Sequence, residues 1–289
     1  MSSNSVKIPR GASEAAPAAW TEVEPPRGLA GLKLRELWSY RELLLFLTWK
    51  EILVRYKQAV LGVGWAVVQP VLTMVVFTVI FGRLVKVSSQ GSPYAIFVFA
   101  GLLPWQLFAT ALQRAGTSLV SSANLLTKVY FPRLVIPLAT VLAGLVDFVI
   151  SFAVLLVLMA IYHVPYSWHI LWMIPLTALA LLTALAVGLW LAALNVLYRD
   201  VQYIIPFIVQ VWMFASPVAY SANVVPVGKW RLVYGLNPVA GVIQGFRWAA
   251  LGGPAPSSLL GAAILVVLVL LVTGSLYFKQ MERTFADVV

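Results

Sequence analysis

The chain has 289 residues, of which 61% are hydrophobic and 10% charged, with a formal net charge of +10 and no cysteine. A mean hydropathy of +0.91 excludes an ordinary soluble domain, which is about 45–50% apolar and about 25% charged, and it excludes disorder over most of the length. What remains is an all-α polytopic membrane protein in which the lack of cysteine rules out disulfides, thiol catalysis and cysteine-ligated metal.

Residues 1–36 are rich in Ser, Ala, Pro and charge and have no apolar run, so they read as a flexible cytosolic tail. They are not a secretory signal, because no apolar stretch follows the early basic residues. Residues 37–57, LWSYRELLLFLTWKEILVRYK, predict an amphipathic helix. Leu45, Trp49, Ile52, Leu53 and Tyr56 share an apolar face; Arg41, Thr48, Glu51 and Arg55 fall on another. So many charges exclude a span, and the helix is expected in the headgroup plane, or else packed on a partner.

Six apolar spans follow, at Val60–Phe81, Tyr94–Leu112, Leu134–Tyr162, Trp168–Leu197, Val201–Ala219 and Ser258–Phe278. Each approaches or exceeds the ~20 residues that cross ~30 Å of hydrocarbon. Tyr220–Pro256, between the last two, is too apolar for a plain loop and is broken by Pro226, Gly235, Pro238, Gly241 and Gly245. It predicts two re-entrant half-helices, Val225–Tyr234 and Pro238–Leu251, with a seventh span as the alternative. The domains are thus a tail (1–36), an interfacial helix (37–57) and a six-helix transmembrane domain (58–289).

With the N-terminus inside, 15 Lys and Arg fall on the cytosolic side and 5 outside. That bias places both termini in the cytosol and makes the basic charge a matter of orientation, not of nucleic-acid binding.

Little in the chain suits catalysis. There is no Walker A motif: Gly228–Lys229 is followed by Trp230 and lacks the upstream glycine, so ATP and Mg would have to reside on another subunit. His163 and His169 do not make a metal site by themselves, and no DxxD or HxxxH pattern supports a membrane transferase. Asp147 is the clearest charge within a span, either a proton or substrate contact or a paired carboxylate that holds helices together.

Polar and aromatic residues are better placed for a transport path. Tyr203, Phe207, Gln210 and Phe214 fall within roughly 60° of one another on the fifth span. Trp65, Gln69, Thr73, Phe77 and Phe81 recur every fourth residue on the first, in a stripe that drifts around the helix. Glutamine is unfavourable in lipid, so these stripes face protein or a pore. Aromatic faces and amides suit sugar rings, though helix packing explains each residue singly.

Two segments suit docking to a cytosolic partner. Ser121–Pro137 carries Asn124, Lys128, Tyr130, Phe131 and Arg133, aromatics flanked by basic residues. The Tyr198–Arg199–Asp200 turn is the second, unless Arg199 and Asp200 merely pair to cap two helix ends.

The run RYKQAVLGVGWAVVQPVLTMVVFTVIFGRL (Arg55–Leu84) resembles the first span of permease subunits of type-2 ABC exporters, and more narrowly of bacterial O-antigen, capsule and teichoic-acid exporters. NLLTKVYFPRLVIP, NVLYRDVQYIIPF and LNPVAGVIQGFRWAALG resemble three further signatures, in the family's order. The resemblance covers Trp38–Phe278. It implies a homodimer in the bacterial cytoplasmic membrane, with two copies of a separate cytosolic ATPase that holds ATP and Mg. It implies lipid-linked glycan as cargo. Spans one and five of opposing protomers would form the pore wall, Ser121–Arg133 the main coupling helix, and Tyr198–Asp200 a second contact. The rival readings are an exporter of small amphiphiles or drugs and an ATP-independent lipid flippase.

Overall fold

The computed structural model describes residues 34–57, 64–89, 91–126, 128, 131–222, 234–253, 255, 257–282 and 285. The expected tail lies outside them apart from residues 34–36, as do Tyr130 and nearly all of the half-helix expected at Val225–Tyr234. All regular structure among the described residues is helical. Helices α1 (Leu34–Ser39) and α2 (Arg41–Tyr56) are followed by α3 (Gly64–Phe77), which widens into a π-helical stretch at Thr78–Leu84. Then come α4 (Tyr94–Ser121), α5 (Ala123–Leu126) and α6 (Val135–Ile161). A 3₁₀ turn (Trp168–Trp172) leads into α7 (Met173–Leu197), and α8 (Val201–Ala215), α9 (Pro238–Leu251) and α10 (Ser257–Met281) complete the order.

Among the described residues, five helices are long and apolar enough to cross a membrane: Gly64–Leu84, Tyr94–Ser121, Val135–Ile161, Trp168–Leu197 and Leu259–Met281. The Trp168–Leu197 run has the bounds that its apolar stretch predicts. Helix α8 is apolar but has only 15 residues. At 1.5 Å per residue it is about 22 Å long, short of the ~30 Å hydrocarbon layer. The span expected to reach Ala219 stops at Ala215, because Pro217 disfavours helical geometry at Ser216, whose φ and ψ are −106° and 149°.

Helix α4 is the axis of the protein. It is buried on nearly every side, and α3, α6, α7, α8 and α9 all pack on it. It continues about two and a half turns beyond Leu112, where the apolar run was expected to end, and stops at Ser121. Gln113, Arg114, Thr117 and Ser118 break the hydrophobic pattern, but Ala115, Ser118 and Leu119 are still enclosed by neighbours, so the helix persists. Small residues let those neighbours close in. A Cβ on Gly188 of α7 would stand 2.6 Å from the Ala115 Cβ, so only glycine permits this approach.

Prolines 70, 104 and 206 sit inside α3, α4 and α8, as intramembrane helices tolerate when neighbours cover the freed backbone. Helix α9 starts where sequence predicts. Asn237 accepts from the Val239 N–H at 3.2 Å and Pro238 occupies the first turn. The Asn237 amide also reaches back to Ser216 Oγ at 3.0 Å and Ala215 O at 3.3 Å, and its oxygen accepts from the Trp212 indole at 3.0 Å. One side chain thus joins the end of α8 to the start of α9.

Helix α2 packs along α6. Its Leu45, Phe46, Trp49, Leu53 and Val54 point outward, whereas Leu47 is buried and Glu51, Ile52, Arg55 and Tyr56 turn partly inward. Glu51 and Arg55 therefore meet protein together with Leu43, Leu44 and Leu47, and the outward side carries the large apolar residues beside the exposed Arg41, Glu42, Lys50 and Lys57.

Candidate functional site

The four residues predicted to share a face on α8 do so. Tyr203 is 74% exposed, Phe207 66% and Phe214 61%, and Gln210 is exposed with them. On the opposite side Ile205 and Val209 are buried against the body. The outward faces of α6 and α10 are aliphatic, with Val149, Val157 and Ile161 on one and Leu265, Leu268 and Val269 on the other. Lipid tails match those faces. The outward face of α8 differs from them in carrying aromatic rings and an amide beside the aliphatic Ile204 and Val211.

The stripe on α3 behaves differently. Trp65 and Gln69 are exposed, but Thr73, Phe77 and Phe81 turn partly inward, and Phe77 meets Phe81 edge-on at 5.5 Å. A four-residue step overshoots a full turn by 40°, so the stripe winds from the surface toward the body. The outward face of α3 is made instead by Val68, Leu72, Val75, Val76 and Val79. Helices α3 and α8 flank α4 and do not pack extensively on each other, so the two stripes do not line one path within a single protomer.

Between α2, α3, α4 and α6 lies a cavity of about 230 Å³. Trp65, Gln69, Gln106, Thr110, Arg114 and Asp147 are among its lining residues. The Asp147 carboxylate forms an ion pair with Arg55 and accepts from the Tyr56 hydroxyl. Burial pushes the Tyr56 phenol up, which keeps it a donor. Asp147 is thus a paired carboxylate that fastens the end of α2 to the middle of α6. Sequence reading missed the partners because they lie 91 and 92 positions away.

A second buried charge escaped sequence reading. Arg247 on α9 is enclosed, and its guanidinium donates to three carbonyls: Phe97 O at 3.2 Å, Tyr220 O at 2.9 Å and Val218 O at 2.6 Å. It also lies 3.7 Å from the centroid of the Phe97 ring. Gly101 makes room, since a Cβ there would stand 2.8 Å from Arg247 Nη2. Tyr94 donates to Ala219 O at 2.6 Å and closes the same turn. Arg247 therefore binds α9, α4 and the segment after α8 into one unit. The available signal was a lone charge in the apolar run GVIQGFRWAAL.

The expected docking residues divide. Asn124 on α5 and Lys128 in the turn after it are exposed. Phe131 is 5% exposed and belongs to the core; the exposed aromatic anchor expected there is corrected, because the chain folds this ring inward next to the start of α6. Arg133 bonds through its guanidinium to the Glu282 carbonyl and lies over the Phe285 ring at 5.8 Å, so it ties the segment after α10 to the start of α6. Tyr198, Arg199 and Asp200 are all exposed, and among the described residues Arg199 and Asp200 form no ion pair. Among the described residues there is also no cluster of His, Asp or Glu that could hold a metal ion.

A helical body with five helices, among the described residues, that are long and apolar enough to cross a bilayer defines a multi-pass membrane protein. The chain belongs to the ABC-2 type transporter family, whose model matches residues 42–251. It is 34% identical over 257 residues to the O-antigen export system permease protein RfbA of Myxococcus xanthus, covering 88% of this chain and 98% of that one. A Klebsiella pneumoniae protein of the same name is 28% identical, over 86% of this chain and 95% of its own. The polysialic acid transport protein KpsM of Escherichia coli is 23% identical, over 71% and 79%.

Proposed function

We propose that this chain is the transmembrane subunit of an ATP-driven exporter that moves lipid-linked polysaccharide, of O-antigen, capsule or teichoic-acid type, across the bacterial cytoplasmic membrane. Two copies form the channel, and each engages one copy of a separate cytosolic ATPase that holds ATP and Mg; the chain itself takes no cofactor. Helix α8 completes six membrane helices, α2 lies at the cytosolic interface, and α9 re-enters from the external side. Both termini are cytosolic. Asn124, Lys128 and the Tyr198–Asp200 turn face the ATPase.

The observation that carries this reading is the exposed α8 face of Tyr203, Phe207, Gln210 and Phe214, set among aliphatic outer faces. Aromatic rings stack on the C–H faces of sugars and the amide bonds their hydroxyls. The relatives named for O-antigen export and polysialic acid transport support the cargo class. Helix α3, whose stripe turns inward, contributes Trp65 and Gln69 to the path.

The test is export in a strain lacking its own permease, with the chain and its cognate ATPase supplied together. Surface polysaccharide should return, and Tyr203→Ala with Gln210→Leu should reduce it at unchanged protein level. No ATPase co-purifying with the chain points to a flippase. ATPase stimulation by small amphiphiles but not by lipid-linked glycan points to a drug or lipid exporter.

A further inference from the structure

The cavity between α2, α3, α4 and α6 is separate from the α8 face. Its polar groups are unequally engaged. Thr110 donates to Gln106 O at 2.7 Å and Ser151 to Ala66 O at 3.2 Å, so both hydroxyl protons are occupied. Asp147 is held by Arg55 and Tyr56. Among the described residues, Arg114, Gln69, Gln106 and the Trp65 indole have no side-chain hydrogen-bond partner, and all four line the cavity. Glu51 acts on Arg114 through space but does not line the cavity.

The unengaged groups are therefore mainly N–H donors in a cavity lined by two arginines, of which Arg55 is paired with Asp147 and Arg114 has only Glu51, outside the lining, acting on it. A phosphoryl group is the complement: it is anionic, and its oxygens only accept. A guanidinium with five fixed donors matches it in shape as well as charge. The volume of about 230 Å³ is below the roughly 300–1,000 Å³ of sites for drug-sized ligands, which suits one headgroup and not a length of polymer. Trp65 and Gln69 are exposed, so the cavity opens sideways beside α3. Helix α2, whose outward side carries large apolar residues, forms another wall.

We propose that this cavity binds a phosphoryl anion, with Arg114 as its counter-charge and Gln69, Gln106 and Trp65 as donors, and that a phosphate- or diphosphate-bearing lipid presents it from the membrane side. The lipid as cargo rests on the export reading above; the anion site does not. The probes are farnesyl diphosphate, farnesol and inorganic pyrophosphate, titrated into the purified full chain in nanodiscs. Farnesyl diphosphate should bind, and farnesol should bind at least about tenfold more weakly, as should farnesyl diphosphate to Arg114→Gln. Gln106→Glu, nearly isosteric but anionic, should weaken binding by at least as much, and Arg114→Lys should fall between.

Equal binding of farnesyl diphosphate by wild type, Arg114→Gln and Gln106→Glu overturns the site, as does equal binding of farnesol or no binding of any phosphate. Pyrophosphate binding as tightly as farnesyl diphosphate supports the anion site and removes the lipid from it. The export assay separates the two ideas. Restored export with unaltered binding in the variants sinks only this site. Anion binding by a chain that restores no polysaccharide sinks only the export reading.

Discussion

Replacing Arg247 by methionine keeps much of the side-chain length and removes the charge. The substitution deletes three hydrogen bonds, to Phe97 O, Val218 O and Tyr220 O, and the contact with the Phe97 ring. A hydrogen bond to a charged group is worth about 1.5–3 kcal/mol in soluble proteins, whereas interhelical bonds in membranes average about 0.6 kcal/mol. Taking about 1 kcal/mol for each bond, and about 0.5–1 kcal/mol for the ring contact, gives a gross loss of about 3–4 kcal/mol. The methionine no longer carries the desolvation cost of the guanidinium, which returns part of this. The expected net destabilisation is about 2–3 kcal/mol, because the three carbonyls are left without their donor. Arg247→Lys should recover only part of it, since a compact ammonium cannot reach three diverging carbonyls as a planar fork does. The assay is reversible unfolding in mixed micelles with increasing dodecyl sulfate. A free energy for Arg247→Met within about 0.5 kcal/mol of wild type, the range of ordinary surface changes, would refute the reasoning.

Three further outcomes follow from the packing. In a double-mutant cycle, Arg55→Ala and Asp147→Ala should couple by about 1–2 kcal/mol, because the pair is only partly exposed; coupling near zero means that the ion pair does not fasten α2. Gly188→Leu should abolish stable accumulation in the membrane, while Gly188→Ala should be partly rescued by Ala115→Gly, measured as folded protein from size exclusion. Arg133→Ala should expose the segment after Met281 to proteolysis and leave α6 intact, read by the site of first cleavage.

Much of this arrangement is legible in the sequence because apolar runs and breakers act locally. The Trp168–Leu197 run, the start of α9 at Asn237–Pro238 and the shared α8 face all follow from periodicity and capping. Legibility fails where tertiary burial overrides the local pattern. Helix α4 outruns its apolar segment because its neighbours enclose Ala115 and Leu119. Phe131 looks like an exposed anchor beside basic residues, yet it folds into the core. The partners of Asp147 and Arg247 lie far along the chain, and no period or motif links them. For α3, a four-residue repeat reads as one face over two turns and ceases to be one over the roughly four turns from Trp65 to Phe81.

Helix α4 has 28 residues, which at 1.5 Å per residue makes an unbroken column of about 42 Å. Its far end meets Arg247 near Phe97, and its near end runs into α5 and the exposed turn beyond it. An α-helix held on all sides resists compression along its axis. Helix α4 therefore links the Arg247 cage at one end rigidly to α5 at the other.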